Sequence, residues 1–264
     1  MLLSRKPLLL LAFVEGAGVM SIELLAARML APYFGAGLHT WGMVIGVTLI
    51  SLAIGYYLGG RLSEKYNSDD FIYWTFILAS IFIVTLPSSS KKLTAFFFDI
   101  DQGLALALTA PILLVPALSL LGMIPILIIQ RLTSATDKSG DTAGQVYTLS
   151  TIGGIAATYL VGFYIIPNWG LTVPAIVAGL ICGTISMVLL LIKGKLIATS
   201  YIVVIVFSLL SVRTEKVRSA LQVLYQSEGL MGQLMVVDMK YNQSYDRAFF
   251  VNRIGQTYIA MHTG

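Results

Sequence analysis

Two acids and one base lie inside the first long apolar run of the chain, where charged side chains are rare. Glu15, Glu23 and Arg28 fall within residues 7–31, whose other members are mainly apolar or small. On a helix with 3.6 residues per turn, Glu15 and Glu23 lie within about 80° of each other. Two carboxylates placed in this way are suited to binding a cation or an amine inside a helical bundle.

A structural interpretation competes with that site. Arg28 follows Glu23 by five residues, a poor spacing for an ion pair on one helix, so its partner is expected on another helix or at a membrane surface. In this interpretation one acid is ion-paired and the other lies at the interface. The absence of a second acidic apolar run favours it. Five polar residues are candidates for lining the same cavity, or for interfacial anchors: Tyr56, Tyr57, Gln145, Tyr147 and Tyr159.

Composition limits the classes of protein that can hold these residues. Of 264 residues, 57% are apolar and 11% are charged, with a mean hydropathy of +0.84. Soluble domains have about 25% charged residues, so an ordinary globular enzyme and a disordered chain are excluded. The net charge of +4 comes from scattered basic residues, which argues against a nucleic-acid partner. The sequence contains one cysteine, Cys182, and two histidines, His39 and His262, which are too few ligands for a Cys/His metal site.

The remaining class is an α-helical polytopic membrane protein, with the lipid bilayer as its first partner. A spanning helix needs about 20 mostly apolar residues. The fourth candidate contains three prolines and is expected to be kinked, or preceded by a re-entrant piece around residues 96–98 that would add an eighth span. We predict about seven helices, at 7–31, 41–60, 71–88, 104–130, 143–166, 171–192 and 196–212.

Basic residues near the helix ends predict the orientation. The N-terminus is expected in the cytoplasm and the chain in the cell (inner) membrane. Seven spans would then bring the tail out on the far side, where its own Arg213, Lys216 and Arg218 conflict with the rule. The sequence leaves that conflict open. Eight basic residues fall on one side of the predicted bundle: Arg5, Lys6, Arg61, Lys65, Arg131, Lys138, Lys193 and Lys195.

Small residues at a spacing of four predict where helices approach closely. We expect packing within one chain, and dimerisation through one stripe is the alternative. The stripes are Gly42/Gly46 and Gly55/Gly59, Ser150/Gly154/Thr158/Gly162, and Ala175/Gly179/Gly183.

The charge density rises after residue 212, which predicts a boundary between a membrane domain, 1–212, and a tail, 213–264. An amphipathic surface helix is expected at 217–225. A short β-hairpin segment is expected beyond it, with strands at 233–238, 248–251 and 257–261. Two or three strands are marginal alone, so the tail must lean on another structure.

Several stretches resemble a known family. Residues 13–35, FVEGAGVMSIELLAARMLAPYFG, and 144–170, GQVYTLSTIGGIAATYLVGFYIIPNWG, closely resemble the membrane region of polytopic spermidine synthase-like proteins, the major-facilitator/spermidine-synthase fusions. The resemblance extends to 120–132, 223–238 and 249–257. Residues 59–65, GGRLSEK, are also similar to a loop of major-facilitator transporters.

This resemblance implies that the tail is the start of the β domain of an aminopropyltransferase. It implies substrate-binding roles for Gln233, Gln256 and Thr257, although Met231 and Gly232 depart from the family pattern, as do Asn252 and Arg253. Hairpin structure without ligand contacts is the alternative role for these residues. Decarboxylated S-adenosylmethionine is implied as a co-substrate only if a catalytic half exists, since no strand–Gly-rich turn–helix motif occurs in residues 1–264.

Three functions remain open, and no catalytic residue is assigned. The first is the membrane region of a spermidine synthase-like protein, with its catalytic domain missing from this chain or supplied by a partner protein. The second is a non-catalytic membrane anchor or scaffold subunit whose tail adds strands to a partner. The third is a small-amine transporter-like module, which the lack of an internal repeat weakens.

Overall fold

The computed structural model describes residues 5–133, 139–213, 222–229, 232–241, 244–251 and 254–261. Within these ranges six helical segments are long and apolar enough to cross a membrane. They are α1 (Arg5–Phe34), α2 (Leu38–Lys65), α3 (Asp69–Phe96), α4 (Gln102–Thr133), α5 (Ser139–Tyr159) continued by a π-helical stretch (Leu160–Ile165) and α6 (Ile166–Trp169), and α7 (Thr172–Ile192).

The seventh predicted segment is shorter than the others. It consists of a 3₁₀ turn, Leu196–Ser200, followed by the 13-residue helix α8, Tyr201–Arg213. The re-entrant piece expected at residues 96–98 was wrong. Phe96 is the last residue of α3 and Phe98 lies in the turn that precedes α4, and both side chains are exposed. Helix α4 runs unbroken through its three prolines.

Glycines bring two pairs of parallel helices into backbone contact. A Cβ on Gly16 of α1 would collide with the Ser150 carbonyl of α5, and one on Gly153 would collide with the Phe13 carbonyl. In α2, a Cβ on Gly55 would collide with the Ser119 carbonyl of α4. These contacts confirm packing within one chain for most of the predicted stripes. Gly42 and Gly46 differ, because a Cβ on either would meet nothing within 4 Å.

A third pair, α3 and α7, runs antiparallel and holds the short last helix. A Cβ on Gly179 would lie 3.0 Å from the Val84 nitrogen, so these two helices also pack closely. Tyr201 is fully buried beside them, with its hydroxyl 2.9 Å from Ser80 Oγ. A Cβ on Gly183 would collide with the Tyr201 ring. The small residues of α7 therefore make room for the start of α8.

Ion pairs mark one end of the bundle, which we call the ion-pair end. Asp69 begins α3 and contacts Arg131 near the end of α4 and Lys193 just after α7. The opposite end, the far end, holds α6, the turn at Gly170 and the contact between Gln102 and the Tyr33 carbonyl. The chain thus crosses the bundle in alternating directions, as the hydropathy pattern predicted.

The tail forms a four-stranded antiparallel sheet in the order β1–β2–β3–β4. Its strands are β1 (Gln222–Gly229), β2 (Gly232–Tyr241), β3 (Ser244–Val251) and β4 (Ile254–Met261). Arg247 pairs with Asp238 across β2 and β3 through two hydrogen bonds of 2.8 and 3.0 Å, which hold the pKa of Asp238 below its usual value. Strand β1 contacts α6 and β2 contacts α1, which places the sheet at the far end.

One prediction for the tail was wrong in part. An amphipathic helix was expected at 217–225, but residues 222–225 belong to strand β1, which pairs with β2. Residues 217–221 lie outside the described residues, as do Lys216, Arg218, Met231, Asn252 and Arg253. The other three strands match their predicted positions, and each is longer than expected.

Candidate functional site

Glu15 is the most deeply placed acid of the bundle. Its side chain keeps 3% of its exposure, and its carboxylate accepts a 2.7 Å hydrogen bond from the Ser150 hydroxyl of α5. It lies ten residues beyond Arg5, or about 15 Å along the helix at 1.5 Å per residue. A hydrocarbon core is about 30 Å thick. Glu15 therefore lies near the middle of any membrane that the bundle spans.

The packing of α1 on α5 creates this hydrogen bond. Gly16 and Gly153 allow the backbones of α1 and α5 to come into contact close to this hydrogen bond. The close approach of the two helices places Ser150 next to Glu15. The spacing of small residues predicted only a packing role for Ser150. Its role at Glu15 was missed, because no sequence signal pairs residues 135 positions apart.

One of the five polar residues predicted near the acids lies near Glu15. Tyr56 of α2 is within electrostatic range of Glu15 and of Tyr147. The two tyrosines are 41% and 44% exposed, whereas Glu15 is buried. A carboxylate with a phenol ring near it is a chemical environment suited to an organic ammonium ion, because the carboxylate supplies charge and the ring can supply a cation–π contact.

Three of the others lie elsewhere. Tyr57 packs under Arg61, with the guanidinium 4.6 Å from the ring centre. Gln145 binds Arg5 and Asp141 at the ion-pair end of α1 and α5. Tyr159 stacks on Phe163 and is exposed. These side chains fit the alternative that the sequence left open, in which aromatic and polar residues cover the outside of the bundle.

The structure separates Glu15 from the charges predicted beside it. Among the described residues, Glu15 and Glu23 form no ion pair with any Lys or Arg. Glu23 is half-buried two turns further along α1, and Arg28 is half-buried beyond it. The contact of Glu15 is thus a neutral hydroxyl, whereas the structural interpretation paired one of the acids with a cation.

The three sheet residues singled out by the family resemblance do not converge on one strand pair. Gln233 lies at the start of β2, opposite Glu228 of β1. Thr257 lies on β4, opposite Phe249 of β3. Gln256, also on β4, lies next to it where the pairing register between β3 and β4 shifts. Both are exposed. Since β3 separates β2 from β4, these side chains start from strands about 9.6 Å apart, twice the usual interstrand spacing.

An ion cluster that was not predicted from the sequence lies at the ion-pair end. Asp69 contacts Arg131 Nε at 2.7 Å and Lys193 Nζ at 3.0 Å, and Asp70 contacts Lys193 Nζ at 2.8 Å. Burial opposes the charge of Lys193, but its hydrogen bonds to Asp70 and Asp69 outweigh that effect and raise its pKa. Ser68 caps α3 just before the two acids, which was the available signal.

No group of three or more metal-ligating side chains occurs among the described residues. Comparison with known proteins adds no assignment, because no family model, curated protein or solved structure matches the chain. The site must therefore be interpreted from its own chemistry.

Proposed function

We propose that the chain is the membrane region of a protein related to the spermidine synthase-like family, and that it holds a small organic amine, a polyamine or a close relative, at Glu15. The observation that carries this proposal is a carboxylate in the centre of the bundle whose partner is a hydroxyl. A buried acid needs a proton or a cation to compensate its charge. The family resemblance supplies the class of cation.

In this proposal the six long helices span the cell (inner) membrane, with the N-terminus in the cytoplasm. The supporting feature is the position of the basic residues Arg131, Lys193 and Lys195, which lie at the same end as the start of α1. The positive-inside rule assigns that end to the cytoplasm. The sheet, which contacts α6, would then be on the opposite side.

Direct binding tests the amine site. The chain, purified and reconstituted in lipid nanodiscs, is titrated with radiolabelled spermidine and putrescine at pH 7.5. Glu15→Gln is expected to abolish saturable binding, while Glu64→Gln, on an exposed part of α2, retains it. Wild-type protein that binds no amine, or a Glu15→Gln variant that binds as well as wild type, contradicts the proposal.

Aminopropyl transfer would require a donor site beyond the described sheet. Strands β1–β4 form an antiparallel meander, and no parallel strand–helix unit for a nucleoside donor occurs among the described residues. We therefore assign the amine-binding part to this chain. The use of decarboxylated S-adenosylmethionine is assigned to a further catalytic domain or a partner protein, tested by transfer activity of the chain with and without that component.

A second function, a membrane anchor for a partner, is favoured by the edges of the sheet. Leu224 and Tyr225 on β1, and Tyr258 and Ile259 on β4, are exposed apolar residues on the two outer strands. Unpaired edges of this kind accept a further strand from another chain. A photo-crosslinking residue at Tyr258 should trap a second polypeptide, and one at Ile50, exposed on α2, should not. Equal trapping at both positions contradicts the anchor function.

A further inference from the structure

An apolar cavity of about 250 Å³ lies between α1, the π-helical continuation of α5, and α7. Its walls are apolar apart from Ser21 and Cys182. The Ser21 hydroxyl already donates a 2.7 Å hydrogen bond to the Ala17 carbonyl, so it is not free to orient a polar ligand. Glu15 is not among the residues that line this cavity.

The cavity has a closed inner end and an open outer rim. Gly18 and Cys182 close it within the bundle, where a Cβ on Gly18 would lie 3.4 Å from the Cys182 sulfur. Trp169, Val177 and Ile181 line the rim and are exposed on the outside of α5–α6 and α7. From Pro174 to Cys182 the slot follows eight residues of α7, or about 12 Å.

The π-helical stretch Leu160–Ile165 shapes one wall. Pro167 lacks an N–H and its ring crowds the carbonyl four residues earlier, so the backbone widens just before it. Gly170 then turns the chain into α7 with φ at 70°, a conformation favourable to glycine. π-Helical turns of this kind are rare and often mark functional sites.

We infer that this cavity binds one hydrocarbon chain of a membrane amphiphile, with its tail end beside Cys182 and its polar end beside Trp169. An empty apolar cavity of this size costs stability unless it is filled. Apolar cavities of about 150 Å³ already hold a benzene molecule. The rim belongs to helices that are apolar enough to span a bilayer, so lipid chains are the apolar molecules present at its mouth.

The position of Trp169 sets the direction of the chain. It lies where α6 ends and the backbone turns into α7, at the far end of the bundle, and tryptophan side chains prefer the membrane–water interface. A polar headgroup beside this residue would remain in water or among other headgroups. A headgroup at the Cys182 end would be buried among apolar residues without hydrogen-bond partners, which is unfavourable.

Photolabelling tests the inference on the full chain. The protein in nanodiscs is exposed to a phosphatidylcholine that carries a diazirine near the end of one acyl chain, and the labelled peptides are identified by mass spectrometry. Label is expected to concentrate on Gly18 and Cys182, the buried residues at the closed end of the cavity. Ala178→Phe, which fills the cavity, should lose that label, while Ala53→Phe, on the exposed face of α2, should keep it.

Two controls distinguish the alternatives. Ile181→Trp narrows the rim without entering the closed end, so it should also reduce labelling. It replaces Ala178→Phe in the test if size-exclusion chromatography shows that Ala178→Phe does not fold. Labelling spread evenly over the exposed faces of α2 and α7, unchanged labelling in both variants, or a crosslink to a second copy of the chain in place of lipid would overturn the inference.

Discussion

Ser150 donates a 2.7 Å hydrogen bond to Glu15 across the interface between α1 and α5, two parallel helices in close backbone contact. The pair links packing to chemistry. Glycines on both helices bring the backbones together, and that approach places a hydroxyl against a buried carboxylate. A change in either the glycines or the polar pair should therefore affect the site.

Removing the hydroxyl should weaken the bundle. Ser150→Ala leaves the Glu15 carboxylate without its described hydrogen-bond donor, and a buried group left unsatisfied costs about 1–3 kcal/mol. We expect a lower unfolding temperature in detergent and weaker amine binding. Thr151→Ala, one residue away and exposed, is the control and should change neither. Equal stability of the two variants would show that the hydrogen bond contributes little.

The glycine contacts predict a graded response to added methyl groups. In Gly16→Ala or Gly153→Ala the new Cβ would collide with a carbonyl group of the facing helix, so the helices must separate. Overpacking costs about 1–3 kcal/mol, and collision with a backbone belongs at the upper end. Gly46→Ala has open space and a favourable helix propensity, so it should be neutral or slightly stabilising. Thermal unfolding in detergent measures all three.

The last helix should detach when Tyr201 cannot dock. In Gly183→Ala the new Cβ would collide with the Tyr201 ring, which must leave its site between α3 and α7. Tyr201→Phe removes only the hydroxyl that contacts Ser80, a loss of about 1 kcal/mol. Limited proteolysis near residue 200 should therefore be much faster in Gly183→Ala than in Tyr201→Phe. Similar rates in both variants would contradict this docking.

The ion cluster should make stability depend on pH at the alkaline end. The folded pKa of Lys193 is raised above 10.5, so its ion pairs contribute fully below that pH, and the contribution is lost as pH rises through the folded pKa. Asp69→Asn leaves Arg131 unpaired and should cost about 2–3 kcal/mol, less than a fully buried pair because both bases remain partly exposed.

The measurement for the ion cluster is the unfolding temperature between pH 7 and pH 11. Wild type should lose stability toward pH 11, and Asp69→Asn should lose less because part of the cluster is already gone. Asp99→Asn, in the exposed turn after α3, should follow the wild-type profile. Parallel profiles for wild type and Asp69→Asn would exclude a role for the cluster.

The position of the sheet predicts its sidedness. In a Cys182→Ala background, a cysteine at Ser244 on β3 should react with a membrane-impermeant maleimide from one side of the membrane. A cysteine at Ser139, at the start of α5 on the ion-pair end, should react from the other side. Labelling of both from the same side would contradict the contact between β1 and α6.

Hydropathy was sufficient to place most of the architecture. Each of the six long helices contains a predicted apolar run, since about 20 apolar residues in sequence can be satisfied by little other than a bilayer-spanning helix, although α3 extends eight residues beyond its predicted end. The small-residue stripes predicted close packing for Gly55 and Gly154. The secondary structure of the tail was predicted less accurately. Val223 and Leu224 suit either a surface helix or a strand, and only pairing with β2 selects the strand.

For the candidate site too, some features follow from the sequence and others from the tertiary structure. The sequence alone determined that Glu15 is an acid inside an apolar helix, with the energetic demand that this makes on its surroundings. Only the tertiary structure decided that Ser150 is the hydrogen-bond donor to this acid and that Tyr56 lies within electrostatic range of it. The same holds for Asp69 with Arg131 and Lys193. Contacts between distant residues depend on which helices are neighbours, and one-dimensional spacing carries no record of that choice.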